Sequence, residues 1–140
     1  MTDKTRFRIG ADIPGKTRSF LLRRFPPAHA NVQCRTVTHA YNVASAFGAP
    51  EGALSVAIYG YHRGNTHDAL LVRVNGQLFR PDGSRYFIAL SIAPDEEPAR
   101  AGDIDSDSIV PVAPEIILVS GLCFRQFPMW NRLAEVKKAA

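Results

Sequence analysis

The pair Asn75-Gly76, set between residues 69–74 (ALLVRV) and 77–80 (QLFR), constrains this chain more than any other feature. A type I′ hairpin turn needs positive φ at both central residues, and Asn followed by Gly adopts that geometry at least cost. Chain rich in apolar residues on both sides then has to pair as antiparallel strands. With 75 and 76 as the turn residues, Ala69 faces Asp82, and His67 lies two residues along on the same side, within diagonal reach of the carboxylate. Pro81 opposes this register, since it has no N–H for the ladder and favours a bulge.

Other segments extend the sheet. Leu54, Val56 and Ile58 alternate with Ser55, Ala57 and Tyr59, which makes residues 53–61 a strand with one apolar face. Residues 85–92 alternate Tyr86, Ile88, Leu90 and Ile92, and 115–120 with 122–127 read as two core strands or one bent about Gly121. Residues 5–9 suit a short edge strand. The run Phe20-Leu21-Leu22, closed by Pro26-Pro27, fits a short helix or a buried strand, and the strand is preferred here.

Two helices are expected. Val37, Ala40, Tyr41, Ala44 and Phe47 recur at three- and four-residue spacing, with Asn31 as N-cap and Gly48 and Pro50 as stops. Pro128 opens a last element in which Met129, Trp130, Leu133 and Val136 have helical spacing, ahead of Lys137-Lys138. Residues 94–111, rich in proline and acid, read as a long exposed loop. The expected fold class is therefore α+β: one domain over 1–140, with a mainly antiparallel sheet packed against a central helix near 32–47 and a C-terminal helix.

Size and composition agree with one globular domain. The chain has 140 residues, 46% hydrophobic and 21% charged, enough for a core without disulfide or metal staples. No apolar run approaches the roughly 18–20 residues that span a bilayer, and no apolar leader follows the basic N-terminus, so no membrane partner and a cytoplasmic setting are expected. Cys34 and Cys123 allow at most one bridge and suit reduced thiols. Charge is uneven: residues 1–35 hold eight basic side chains against Asp3 and Asp12, while 95–107 hold six acids against Arg100. The two regions can neutralise each other, or the basic region can attract phosphate or an acidic partner.

A helix beginning at Asn31 would place Cys34 in its first turn. Unpaired N–H groups, the positive end of the helix dipole and Arg35 would all favour the thiolate there. Cys34 in NVQCRTVTHAYNVASAFG, His67 in THDALLVRVNG and Asp82 in QLFRPDG then follow the order of a nucleophile, a base and a base-orienting acid. This segment, roughly residues 31–90, resembles the catalytic unit of the papain-like superfamily, in its transglutaminase-like and arylamine N-acetyltransferase branches. Those enzymes carry a cysteine at a helix N-terminus, a histidine on a following strand and an aspartate on the next strand. The chain departs from them in having no glycine-rich stretch before Cys34 and no glutamate two residues after it. The resemblance implies a cysteine hydrolase or acyltransferase acting on a peptide or acyl substrate through a thioester: His67 takes the Cys34 proton, Asp82 orients the imidazole, and N–H groups at the helix start hold the oxyanion.

Other motifs compete. Residues 10–17 (GADIPGKT) match the phosphate-loop pattern GxxxxGK[ST], though no apolar strand ending in a metal-binding aspartate accompanies them. Asp103, Asp105 and Asp107 imitate the opening of a calcium loop but lack its glycine and closing acid. His29, His39, His62 and His67 lack the paired short spacing of a zinc site, so neither metal nor cofactor is expected. Tyr59, Tyr61 and Arg63 beside His62 offer an aromatic and basic surface able to stack on bases. Two functions follow: the cysteine enzyme, or a small non-enzymatic binding, adaptor or inhibitor protein whose basic N-terminal region or acidic loop engages a protein or anionic partner.

Overall fold

A computed structural model describes residues 7–44, 52, 54–95, 109–119 and 125–128. In chain order its elements are β1 (Phe7–Asp12), α1 (Gly15–Arg24), β2 (Asn31–Val32), β3 (Thr36–Val43), β4 (Leu54–Arg63), β5 (His67–Val74), β6 (Phe87–Ile92), β7 (Val110–Val119) and β8 (Arg125–Pro128). The strands form a three-stranded sheet ordered β3-β1-β8 and a five-stranded sheet ordered β2-β6-β5-β4-β7. Every pairing is antiparallel.

The α+β expectation is therefore corrected to a mostly antiparallel β fold with one short helix among the described residues. Where the central helix is expected near 32–47, the described residues hold the strand Thr36–Val43 instead. Its three- and four-residue spacing is real, but Thr36, Val37, Thr38 and Val43 are β-branched, and β1 supplies a ladder in which Val37 pairs with Ala11 and Thr36 with Asp12. Residues 19–25, preferred as strand, lie mostly in α1. Leu21 and Phe25, one helical turn apart, are both buried, and Arg23 and Arg24 occupy the last turn, where cations offset the dipole. The edge strand expected at 5–9 lies in part in β1, which is central to its sheet. The expected C-terminal helix and the acidic part of the loop at 96–108 fall outside the described residues.

The hairpin reading holds at its turn. Asn75 has φ 49° and Gly76 φ 80°, and Val74 bridges Gln77. One core cluster then joins α1, the three-stranded sheet and the five-stranded sheet through Leu21, Val37, Ile58, Leu70, Val72 and Ile88. Each such apolar side chain contributes roughly 1.5–3 kcal/mol by leaving water.

Asp68 fastens the chain between α1 and β2 onto this sheet. Its Oδ2 accepts the Ala28 N–H at 2.6 Å and the Ser91 hydroxyl at 2.9 Å, and Ser91 Oγ accepts the His29 N–H at 3.1 Å. His29 Nε2 lies 2.9 Å from the Gly64 carbonyl and 3.5 Å from Asp68 Oδ1. No helix among the described residues is long and apolar enough to cross a membrane.

Candidate functional site: a basic, aromatic face on the helix

The structure does not bring Cys34, His67 and Asp82 together. Cys34 lies between β2 and β3, not at a helix start, with φ 60° and its N–H donated to the Ala89 carbonyl at 2.6 Å. The thiol is free, fully buried and part of the main core. Burial pushes it up to about 11, against a smaller opposite pull from Arg18, so the thiolate is disfavoured where a nucleophile needs it favoured.

His67 opens β5. Leu70, Val72 and Val74 face the main core, so strand alternation turns His67 with Ala69 and Leu71 to the other side of the sheet from Cys34. Its Nδ1 lies 2.7 Å from Thr66 Oγ1, and its Cα partner on β6 is Ile92.

Asp82 sits in an exposed turn near the opposite end of β5. It accepts the Ser84 N–H at 2.9 Å and the Ser84 hydroxyl at 2.5 Å. Burial works against its ionisation, but those Ser84 bonds and the Arg80 cation outweigh it and hold the carboxyl below its usual range. The register explains the separation. The tight turn pairs only as far as Gln77, residues 78–86 make an excursion with their own turn in which Phe79 bridges Arg85, and Leu71 then pairs with Phe87.

The phosphate-loop pattern is also placed otherwise. Gly10 lies inside β1, where a Cβ would meet the Val37 carbonyl at 2.8 Å. The Ile13 N–H is given to Arg35 O at 2.7 Å, and Pro14 has none to give. Only two residues separate strand from helix, too few to wrap a phosphate.

The outer face of α1 has a different character. Lys16, Phe20, Arg23 and Arg24 are exposed, Phe20 at 42%, and their spacing puts them on one side of the helix. No acid occurs in residues 15–24. At the C-terminal end Arg24 and Arg63 flank the buried Phe25 ring and the half-buried Tyr61 ring of β4. The Arg24 guanidinium lies 4.7 Å from the centre of the Phe25 ring, the Phe25 and Tyr61 rings are 5.6 Å apart, and the Arg63 guanidinium lies 5.6 Å from the Tyr61 ring. Arg63 Nε also donates to the Tyr61 hydroxyl at 2.9 Å.

Helix electrostatics accounts for part of this. Arg23 and Arg24 in the last turn are favourable, whereas Lys16 in the first turn works against the dipole and no acid there offsets it. Sequence reading finds the cations and the Tyr61–Arg63 pair, but it misses the stack, because joining α1 to β4 is a tertiary event. Among the described residues no group of three or more His, Cys, Asp or Glu is arranged to hold a metal ion. No protein-family model, curated protein or solved structure matches the chain.

Proposed function

We propose that this protein is a binding module for single-stranded nucleic acid, engaged by the outer face of α1 and the Arg24-Phe25-Tyr61-Arg63 stack. The observation that carries this reading is the exposure of Lys16, Phe20, Arg23 and Arg24 on one side of α1, with the exposed Arg63 guanidinium over the half-buried Tyr61 ring at its C-terminal end. Phosphates are attracted by clustered guanidinium and ammonium groups irrespective of base sequence, and an exposed ring between them gives a base a face to stack on. Phe20, exposed beside Lys16 and Arg23, supplies that ring. Lys16 stands at a position where it costs the helix stability, which is consistent with selection for an external anion.

The test is fluorescence anisotropy with a labelled 12-nucleotide single strand and the full chain across a salt series. Log affinity should fall with log salt at about 0.7 per phosphate neutralised. The triple variant K16E/R23E/R24E should lose binding. Phe20→Ala should weaken it with the salt slope unchanged, as expected for lost stacking. Binding unaffected by the charge reversals would overturn the reading. So would capture by phosphatidylserine vesicles without capture of the oligonucleotide.

A further inference from the structure

Ser19 stands inside the basic face of α1. It is exposed, and helical spacing puts Lys16, three residues before it, and Arg23, four after it, on the same side. Arg18 precedes it directly. The helix has one other hydroxyl, on Thr17, which is half-buried, so Ser19 is the hydroxyl that this face presents.

The start of α1 is its weak end. Pro14 at the N-cap position makes no side-chain cap bond, and the first turn holds no acid, so the N–H groups and the dipole there lack side-chain compensation. Leu21 and Phe25, both buried in the main core, hold the other end. Local opening therefore starts in the turns that lead to Ser19, which frees its hydroxyl for an enzyme.

We propose that Ser19 is a phosphorylation site and that phosphoserine there switches the α1 face off for nucleic acid. The inference rests on the single-strand binding reading above. The co-reactants are a nucleoside triphosphate and a serine kinase of the class that selects basic residues before its acceptor, a charge pattern that Lys16 and Arg18 supply. Ser19 Oγ bonds to the γ-phosphorus as the bond from that phosphorus to the β–γ bridging oxygen breaks. The hydroxyl proton passes to the base of the kinase and the diphosphate leaves. The new group carries about −1.5 to −2 charges at neutral pH. Placed between Lys16 and Arg23, it pairs with both and offsets most of the charge of Lys16, Arg23 and Arg24, on which an external phosphate depends.

The test treats the full chain with ATP and a basophilic serine kinase, maps the product by peptide mass spectrometry, and titrates both forms against the labelled 12-nucleotide strand across the salt series. A phosphoryl group should appear on Ser19 and be missing from Ser19→Ala, which should bind the strand as the parent does. With about two fewer phosphates neutralised, the salt slope should fall by about 1.4, and affinity near physiological salt should drop about tenfold. Ser19→Asp should lose affinity several-fold, while Ser19→Gln, neutral and of similar reach, should bind as the parent does. An unmodified chain that fails to bind the strand overturns the nucleic-acid reading and this inference with it. Binding by the unmodified chain together with no phosphoryl group on Ser19, equal affinity of the two forms, or Ser19→Gln as weak as Ser19→Asp overturns the switch alone.

Discussion

Asp68 accepts the backbone N–H of Ala28 at 2.6 Å across forty residues of chain. Through this bond a buried carboxyl on a sheet strand fixes the segment that follows α1, and with it the position of the helix surface. Its other oxygen, Oδ1, lies 3.5 Å from His29 Nε2 and is buried with no hydrogen-bond partner among the described residues.

Truncating this group should be among the most damaging single changes. Asp68→Ala leaves the Ala28 N–H and the Ser91 hydroxyl without their acceptor in a dry setting, at a cost of about 2–4 kcal/mol. Asp82→Ala, which removes an exposed turn acceptor, should cost under about 1 kcal/mol. Urea denaturation of both variants measures the contrast. A larger loss for Asp82→Ala would contradict the assignment of Asp68 as the fastening group.

Cys34 should behave as a core residue. With the thiol buried and pushed up to about 11, iodoacetamide should label it slowly at neutral pH, at a rate unchanged by His67→Ala. The folded thiol titrates above its ordinary value of 9.0, so its contribution to stability is complete below pH 9 and is lost as pH rises from there towards about 11. Fast labelling that depends on His67 would restore the catalytic triad.

Much of the sheet is legible in short-range chemistry, and the losses have identifiable causes. The Asn75-Gly76 turn depends on the φ preferences of two residues, and the strands at 54–63 and 87–92 depend on alternation that any buried sheet face imposes. Residues 36–43 carry two periods at once. Val37, Ala40 and Tyr41 satisfy a helix, while β-branched residues and the waiting edge of β1 satisfy a strand, and only the ladder decides. The catalytic expectation inherits that ambiguity, since a Cys34 outside a helix has no helix dipole to activate it. Its Asp82 half fails for another reason, that the excursion at 78–86 separates the turn register from the sheet register. Arg80 with His39, and Arg24 with Tyr61, meet only through tertiary packing, so no local pattern marks them.

Two glycines should separate close approach from backbone conformation. A Cβ at Gly10 would meet the Val37 carbonyl at 2.8 Å and the Thr38 Cα at 3.3 Å, both backbone atoms, so Gly10→Ala must push β1 and β3 apart. A Cβ at Gly76 meets nothing within 4 Å, but its φ of 80° penalises an L side chain. Gly76→Ala should cost about 1–2 kcal/mol. Gly10→Ala should cost more and perturb amide shifts along β3. Thermal melts and NMR of the two variants distinguish strain at a turn from a spoiled strand interface.

His39 should give the fold a sensitivity to mild acid. Burial lowers its basicity, the Arg80 cation lowers it further, and the Asp82 carboxylate only partly opposes them. Tyr86, the hydroxyl partner at 2.7 Å, adds no charge, since burial raises its own titration point. An unfolded histidine takes up its proton near pH 6.5, whereas the folded one resists until lower pH. In that window the unfolded chain binds more protons, so stability is complete above about pH 6.5 and declines as pH falls towards the folded value. NMR titration of the His39 ring should place its midpoint below the ordinary histidine value. Arg80→Gln should move that midpoint upward and flatten the acid loss of stability measured by urea denaturation. A midpoint at or above 6.5 in the parent chain, or one unmoved by Arg80→Gln, would contradict the placement of this guanidinium beside the imidazole.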